Sequence, residues 1–437
     1  MNDRIEILPI FHALHASVRL PGSKSLTNRV LLLAVLADGV TVLRNALFSD
    51  DSAYFAGALR QLGFSVSLDP AQSEMTVEGQ GGAIPAGNAE LFIGNAGTAA
   101  RFLTAFLTLG NGCYSLDGDA RMRERPIGDL VAALESLGAI ITEIQLGSSK
   151  TTGIAKSSIC PPIQIQASGL AGGRTEIAGN ISSQFLSGLL MVAPYAHNPV
   201  EIHLTTELNS RPYVDLTLGV MSDFGVEVER QGYERFDIQP AHYHSRPNYL
   251  IESDASAASY FFAAPAIMGG SVRVEAVSQA SKQGDIAFLQ ILQQMGCTVS
   301  EGKDYVEVTG PARLHGIDVD MRDISDTAQT LAAIAPFADA PTRIRGIGFI
   351  RAKESNRITD TCTELRRLGV KVEEHPDGLT IQPCADILPA DIHTYNDHRM
   401  AMAFALIGLR TAGIRIENPA CVSKTFPDYF NVLETLR

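Results

Sequence analysis

Residues 57–68 read GALRQLGFSVSL, and the same cadence returns as AALESLGAIITEI (132–144), LGVMSDFGVEVE (218–229), LQILQQMGCTVS (289–300) and TELRRLGVKVEE (363–374). Each is a helix with apolar residues at i, i+3 and i+4 that runs into a glycine and then into alternating, strand-like residues. A glycine just past a helix takes the left-handed conformation that side chains resist. Gly63, Gly138, Gly225, Gly296 and Gly369 therefore mark predicted helix-to-strand junctions, 75, 87, 71 and 73 residues apart.

A second segment type interleaves with the first, six times over. PGSKSLTNRVLLLAVLA (21–37), GNAGTAARFLTAFL (94–107), GNISSQFLSGLLMVA (179–193), ESDASAASYFFAAPAIM (252–268), ISDTAQTLAAIAPFA (324–338) and YNDHRMAMAFALIGL (395–409) each begin with small polar residues and continue as apolar helices. A helix that is apolar all round belongs in the middle of a domain. With Ser25, Thr98, Ser183, Ser256, Thr327 and His398 as markers, the spacings are 73, 85, 73, 71 and 71. The chain thus reads as six similar α/β units. The long interval holds SSKTTGIAKSSICPP (148–162), a polar stretch expected to be an inserted loop or hairpin. Three units per domain put the break midway, where HYHSRPNYLIESD (242–254) has the proline and polar content of a linker, so the boundary is placed near Glu252.

Length and composition agree with two globular domains: 437 residues, 45% apolar and 19% charged. A net charge of −13 argues against nucleic acid or an anionic membrane surface as partner. It also makes local clusters of Arg and Lys informative. The six cysteines (113, 160, 297, 362, 384 and 421) are scattered, without metal-ligand spacing, as in a reduced cytoplasmic protein. The first twenty residues lack the unbroken apolar stretch of a signal peptide, and no window approaches the roughly 20 apolar residues of a membrane span. No coiled-coil heptad stands out, so a monomer is expected.

The unusual residues gather at the N-terminal ends of the six apolar helices. Such an end exposes N–H groups and a partial positive charge, and so attracts phosphate and carboxylate. Taken singly these motifs are open to bland readings. PGSKS lacks the first glycine of a P-loop, and GNAGTAAR is no dinucleotide fingerprint. Asn180–Gln184 and Asp326 read equally well as helix caps. Arg121, Arg123 and Arg125 read equally well as a solvated loop. Asn396-Asp397-His398-Arg399, four polar groups before an apolar run, is harder to explain structurally.

Taken in order, LPGSKSLTNR (20–29), GNAGTAAR (94–101), RMRERPIGDL (121–130), ISSQFL (181–186), RAKESNR (351–357), YNDHRMAM (395–402) and KTFPDYF (424–430) resemble the 5-enolpyruvylshikimate-3-phosphate synthases. The resemblance runs from about Leu20 to Phe430. It implies a two-domain inverse α/β barrel of six βαβαββ repeats. One domain would be 1–21 with 252–437 and the other 22–251, with the active site in the cleft and a hinge near 20–24 and 250–255. It also implies transfer of the enolpyruvyl group of phosphoenolpyruvate to the 5-hydroxyl of shikimate 3-phosphate, with no metal and no organic cofactor.

Residue by residue, the resemblance implies that Lys24, Gly97, Arg125, Gln184 and Lys424 contact the phosphate end of phosphoenolpyruvate, while Arg357 and Arg399 grip its carboxylate. Lys24, Ser25, Arg29, Ser182, Ser183, Gln184, Ser210, Tyr213, Asp326 and Lys353 fall on the shikimate 3-phosphate side. Asp326 resembles the base for the 5-hydroxyl, Glu354 the acid for the methylene carbon, and Lys24 shares proton duty. Two positions depart from the family pattern. Phe349 stands where many relatives have asparagine, and Phe102 stands where many have proline, beside the Gly97 that leaves room for the herbicide glyphosate. Measurable but weakened glyphosate inhibition is expected.

The sister transferases acting on UDP-N-acetylglucosamine are the nearest rival, but they have Lys-Asn where this chain has Lys24-Ser25. They also usually carry a reactive cysteine in the loop that here reads DGDARMRERP (117–126). A non-catalytic anion binder on the same scaffold is the other alternative, which has no need for carboxyls among its anions.

Overall fold

The computed structural model describes residues 3–144 and 159–437, so most of the polar insertion read at 148–162 lies outside the described residues. The chain divides into two compact units, Gly22–Ile251 and Met1–Pro21 with Glu252–Arg437. Each unit has a separate apolar core.

In the unit 22–251 three helices, Lys24–Leu36, Gly97–Leu107 and Ser183–Val192, form the centre. Every residue of the Gly97 helix is buried, as is all of the first helix from Leu26 on. Full burial of a Leu or Val stabilises by about 1.5–3 kcal/mol, which is why an all-apolar helix ends up inside. Three amphipathic helices, Asp50–Gln61, Gly128–Ser136 and Arg211–Asp223, lie outside them. The other unit repeats the plan with central helices Ala255–Met268, Ala328–Ile334 and His398–Gly408. Sheets flank the helices, giving the inverse α/β barrel class with helices within and strands without.

The five junction glycines all have positive φ: 90° at Gly63, 101° at Gly138, 90° at Gly225, 100° at Gly296 and 82° at Gly369. Each ends its helix and releases the chain into a strand hairpin, as with Gly63 before Ser65–Asp69 and Glu74–Gln80. Five four-stranded sheets share one pattern, a parallel pair followed by two antiparallel pairings. In three of them the parallel pair is two consecutive strands joined by a central helix, and in the other two the parallel neighbour comes from a distant part of the chain. Tyr249–Leu250 runs beside Asp38–Arg44, and Leu14–Arg19 beside Gly270–Glu275.

The sixth repeat is incomplete. Its sheet has three strands, and the place of a hairpin is taken by Arg4–Ile7, antiparallel to Ile414–Glu417. The two ends of the chain thus close the same unit. Among the described residues no helix is long and apolar enough to cross a membrane.

Candidate active site

The expected residues fall into two clusters, one in each unit. In the unit 22–251 the first central helix begins at Lys24, capped by Ser23, whose hydroxyl accepts from Leu26 N–H. Lys24 Nζ lies 3.8 Å from Asp51 Oδ2. Ser25, one residue on, gives its carbonyl to Arg29 Nη1 at 3.0 Å.

Arg29 is only 2% exposed, and its other partners are also uncharged. Nε donates to Thr217 Oγ1 at 2.8 Å, and Nη2 donates to Ser187 Oγ at 3.3 Å and the Tyr213 carbonyl at 3.1 Å. The Phe102 ring packs 5.5 Å from the guanidinium carbon. No carboxylate among the described residues pairs with Arg29, and burial lowers its pKa to about 10. A buried cation held by hydroxyls and carbonyls is poised to receive an anion. Ser187 and Thr217 had no sequence signal, since each lies inside a helix where a hydroxyl ordinarily bonds its own backbone.

The Gly97 helix has no capping side chain at Ala96, so its first N–H groups lack that local satisfaction. Arg125 lies beside it, 4% exposed, with Nη1 on Asn95 Oδ1 at 2.9 Å. A Cβ built on Gly97 would stand 2.5 Å from Arg125 Nη2, so only glycine leaves the guanidinium where it is. Thr98 accepts from Gln184 Nε2 at 3.1 Å, which ties the Gly97 helix to the Ser183 helix. Ser182 caps the latter by accepting from Gln184 N–H at 3.3 Å, so the cap reading of 180–184 holds for that residue. Ser210, before the Arg211 helix, adopts the left-handed conformation (φ 57°) although it is not glycine. Of the three loop arginines, Arg121 and Arg123 are surface ion pairs with Glu124 and Asp117; only Arg125 is buried.

The second cluster is built on carboxylates. Arg357 starts the Arg357–Arg367 helix and is 2% exposed. Its Nε and Nη2 donate to the two oxygens of Asp397 at 2.8 and 3.3 Å, Nη2 to Glu354 Oε2 at 2.8 Å, and Nη1 to Asp326 Oδ1 at 3.2 Å. Burial opposes its charge, but Asp397, Glu354 and Asp326 overcome that and raise its pKa above the ordinary value. Arg399 shares Asp326, donating to Oδ2 at 2.6 Å and to the backbone carbonyl at 3.0 Å. Asp326 therefore does not cap its helix: it spans two guanidiniums, while Thr327 takes the cap position with no side-chain capping bond, its hydroxyl donating instead to the Ile324 carbonyl at 2.8 Å. Tyr260, wholly buried, has its phenol pushed up to about 12 by burial, against the pull of Arg399.

Asp397 organises this cluster. Fully buried, it caps the His398 helix by accepting from Arg399 N–H at 2.9 Å, while Ser355 Oγ donates to it at 3.3 Å. It lies inside the YNDHRM motif, whose four polar residues resist a purely structural reading, yet nothing in the sequence singles it out among the four. Lys353 Nζ sits 6.0 Å from the centre of the Phe349 ring, so that aromatic residue braces a cation. Lys424, at the end of the short helical segment Pro419–Lys424, is 9% exposed. Among the described residues no group of three His, Cys, Asp or Glu side chains is placed to hold a metal ion.

Comparison with known proteins supplies the chemistry. The profile of the EPSP synthase family (3-phosphoshikimate 1-carboxyvinyltransferase) matches residues 10–433. A 3-phosphoshikimate 1-carboxyvinyltransferase from Nostoc punctiforme is 51% identical over 428 residues, covering 98% of both chains. The chloroplastic protein of that name from Brassica napus is 47% identical, covering 96% of this chain and 82% of its own. Among solved structures, EPSP synthase from Acinetobacter baumannii superposes with a TM-score of 0.80 at 26% identity, covering 99% of this chain and 97% of its own.

Proposed function

The chain belongs to the EPSP synthase family, and from that premise we propose how its two clusters divide the work. The reaction moves the carboxyvinyl group of phosphoenolpyruvate to the 5-hydroxyl of shikimate 3-phosphate and releases phosphate. The relatives at 47–51% identity carry that activity in their names, which disfavours the UDP-N-acetylglucosamine alternative.

The sharing of Asp326 between Arg357 and Arg399 carries the assignment of roles. Two guanidiniums converging on one carboxylate form a ready site for another. In this reading the carboxylate of phosphoenolpyruvate replaces Asp326 on that pair. Asp326, relieved of its arginines, then accepts the proton of the 5-hydroxyl as that oxygen attacks C2. Glu354, held 2.8 Å from Arg357, stands beside the same grip and exchanges the methylene proton. Protonation of the methylene makes C2 electrophilic, and a tetrahedral intermediate forms. Loss of phosphate with removal of a proton from the resulting methyl group restores the double bond.

Lys24, Gly97, Arg125, Gln184 and Lys424 take the phosphate of phosphoenolpyruvate. Ser25, Arg29, Ser182, Ser183, Ser210, Tyr213 and Lys353 take the sugar phosphate. The buried, carboxylate-free Arg29 suits that task, because an arriving phosphate supplies the charge its surroundings lack. A cytoplasmic monomer acting on two small anions is the form we assign.

The test is phosphate release from phosphoenolpyruvate, with shikimate 3-phosphate and UDP-N-acetylglucosamine supplied separately. Release with shikimate 3-phosphate alone is expected. Release with the nucleotide sugar alone would reassign the acceptor, and release with neither would leave an anion binder.

A further inference from the structure

Two non-glycine residues in succession, Tyr395 and Asn396, have positive φ, 53° and 55°. They are the central pair of a tight turn closed by Asp397 N–H on the Thr394 carbonyl at 2.8 Å. Positive φ at both central positions is the geometry that Gly, Asn and Asp populate. Asn396 suits it. A tyrosine there is strained, because its Cβ crowds the backbone. Strain of this kind persists only where the surroundings enforce it.

The surroundings here can be named. Tyr395 Oη donates to Glu364 Oε1 at 2.8 Å, and His393 N–H donates to Glu364 Oε2 at 3.1 Å, so one carboxylate grips both sides of the turn. Glu364 has no exposed surface and projects from the Arg357–Arg367 helix, whose first residue is Arg357. Burial and the neighbouring carboxylate push the phenol pKa up, so it stays a donor. Asn418 Nδ2 donates to Asn396 Oδ1 at 3.1 Å from a further side. The next residue in the chain is Asp397, on which both Arg357 and the backbone of Arg399 depend.

We propose that Tyr395 and Glu364 are positioning residues: their hydrogen bond holds a strained turn that sets Asp397, and through it the two arginines, to receive the substrate carboxylate. The Arg357 helix thus determines the position of Asp397 twice, once by the direct ion pair and once through Glu364. This inference rests on the reading of Arg357 and Arg399 as the grip on phosphoenolpyruvate.

The test uses the full chain with Tyr395→Phe, which removes one oxygen and keeps the ring. Loss of a hydrogen bond to a charged group predicts a KM for phosphoenolpyruvate higher by about five- to tenfold, with the KM for shikimate 3-phosphate unchanged. Glu364→Gln keeps one acceptor oxygen but sets its NH2 against either the phenol or the His393 N–H, so it breaks one of the two bonds and should raise the same constant by a comparable factor. An unchanged KM for phosphoenolpyruvate in Tyr395→Phe, or an equal rise for both substrates, would overturn the clamp. Arg399→Lys separates the two ideas. If it leaves the KM for phosphoenolpyruvate untouched, the grip itself is misassigned. If it raises that KM while Tyr395→Phe does not, the grip stands and only the clamp fails.

Discussion

Arg29 and Arg357 are buried to the same extent, each 2% exposed, and their environments are opposite. Arg29 is held by two hydroxyls, two carbonyls and an aromatic face. Arg357 is held by three carboxylates, one of which it shares with Arg399. The first arrangement leaves a positive charge uncompensated, so an arriving dianion gains without displacing anything. The second is neutralised in advance; in the reading proposed above, a substrate carboxylate exchanges with one already present, and the displaced group becomes available as a base. One unit is thereby suited to strong attraction and the other to coupling binding with proton transfer.

The largest expected effect tests the second half of that contrast. Asp326→Asn should lower kcat by about a hundredfold to ten-thousandfold, the usual range for a general base, with both ligands still binding by calorimetry. Near-normal turnover would remove Asp326 from the chemistry.

Asp397→Asn should cost both fold and function. It takes a full charge from beside Arg357 and should destabilise by about 3 kcal/mol, read as a lower urea midpoint together with a raised KM for phosphoenolpyruvate. A normal midpoint would mean that Glu354 and Asp326 suffice.

In the other unit, Gly97→Ala forces the Arg125 guanidinium to move, because the new Cβ would lie 2.5 Å from Nη2. Weakening by about ten- to a hundredfold is expected for phosphoenolpyruvate, and also for glyphosate, while shikimate 3-phosphate should be spared. Equal loss of both substrates would mean that Arg125 serves the sugar phosphate as well.

The direct comparison is Arg29→Met against Arg357→Met. Exchanging a buried charge that lacks an ionic partner for an apolar side chain should be neutral or stabilising by about 1 kcal/mol, whereas removing the partner of buried carboxylates should destabilise by about 3 kcal/mol. Loss of stability in both would erase the distinction.

The smallest effect is with pH. The folded pKa of Arg29, about 10, lies below its ordinary value. Its charge therefore costs stability below about pH 10, and the cost falls away as pH rises above that. Affinity of the free protein for shikimate 3-phosphate should weaken over the same range, and a titration flat through pH 10 would contradict this.

Phe102 shows where motif reading stops. By sequence it stands beside Gly97 where many relatives have proline, and weakened glyphosate inhibition is the expectation drawn from it. In the structure it faces Arg29 from a fully buried position, four residues beyond Thr98. Asp397 shows the same limit from the other direction, for it looked like one polar residue among four. Its weight comes from Arg357, 40 residues away, and from Glu364 and Tyr395, whose bond spans 31.

The sequence alone determined the six repeats, because helix period, all-apolar composition and a glycine at each helix end are local facts that no distant contact alters. It placed five left-handed glycines and all six central helices. Tertiary structure decided which strands pair, since a strand's hydrogen-bonding groups are the same whatever its neighbour. Only folding could put Arg4–Ile7 beside Ile414–Glu417 to complete the last repeat. It likewise decided which arginines meet carboxylates and which meet hydroxyls, because a guanidinium's charge state and reach depend on what burial brings to it from elsewhere in the chain.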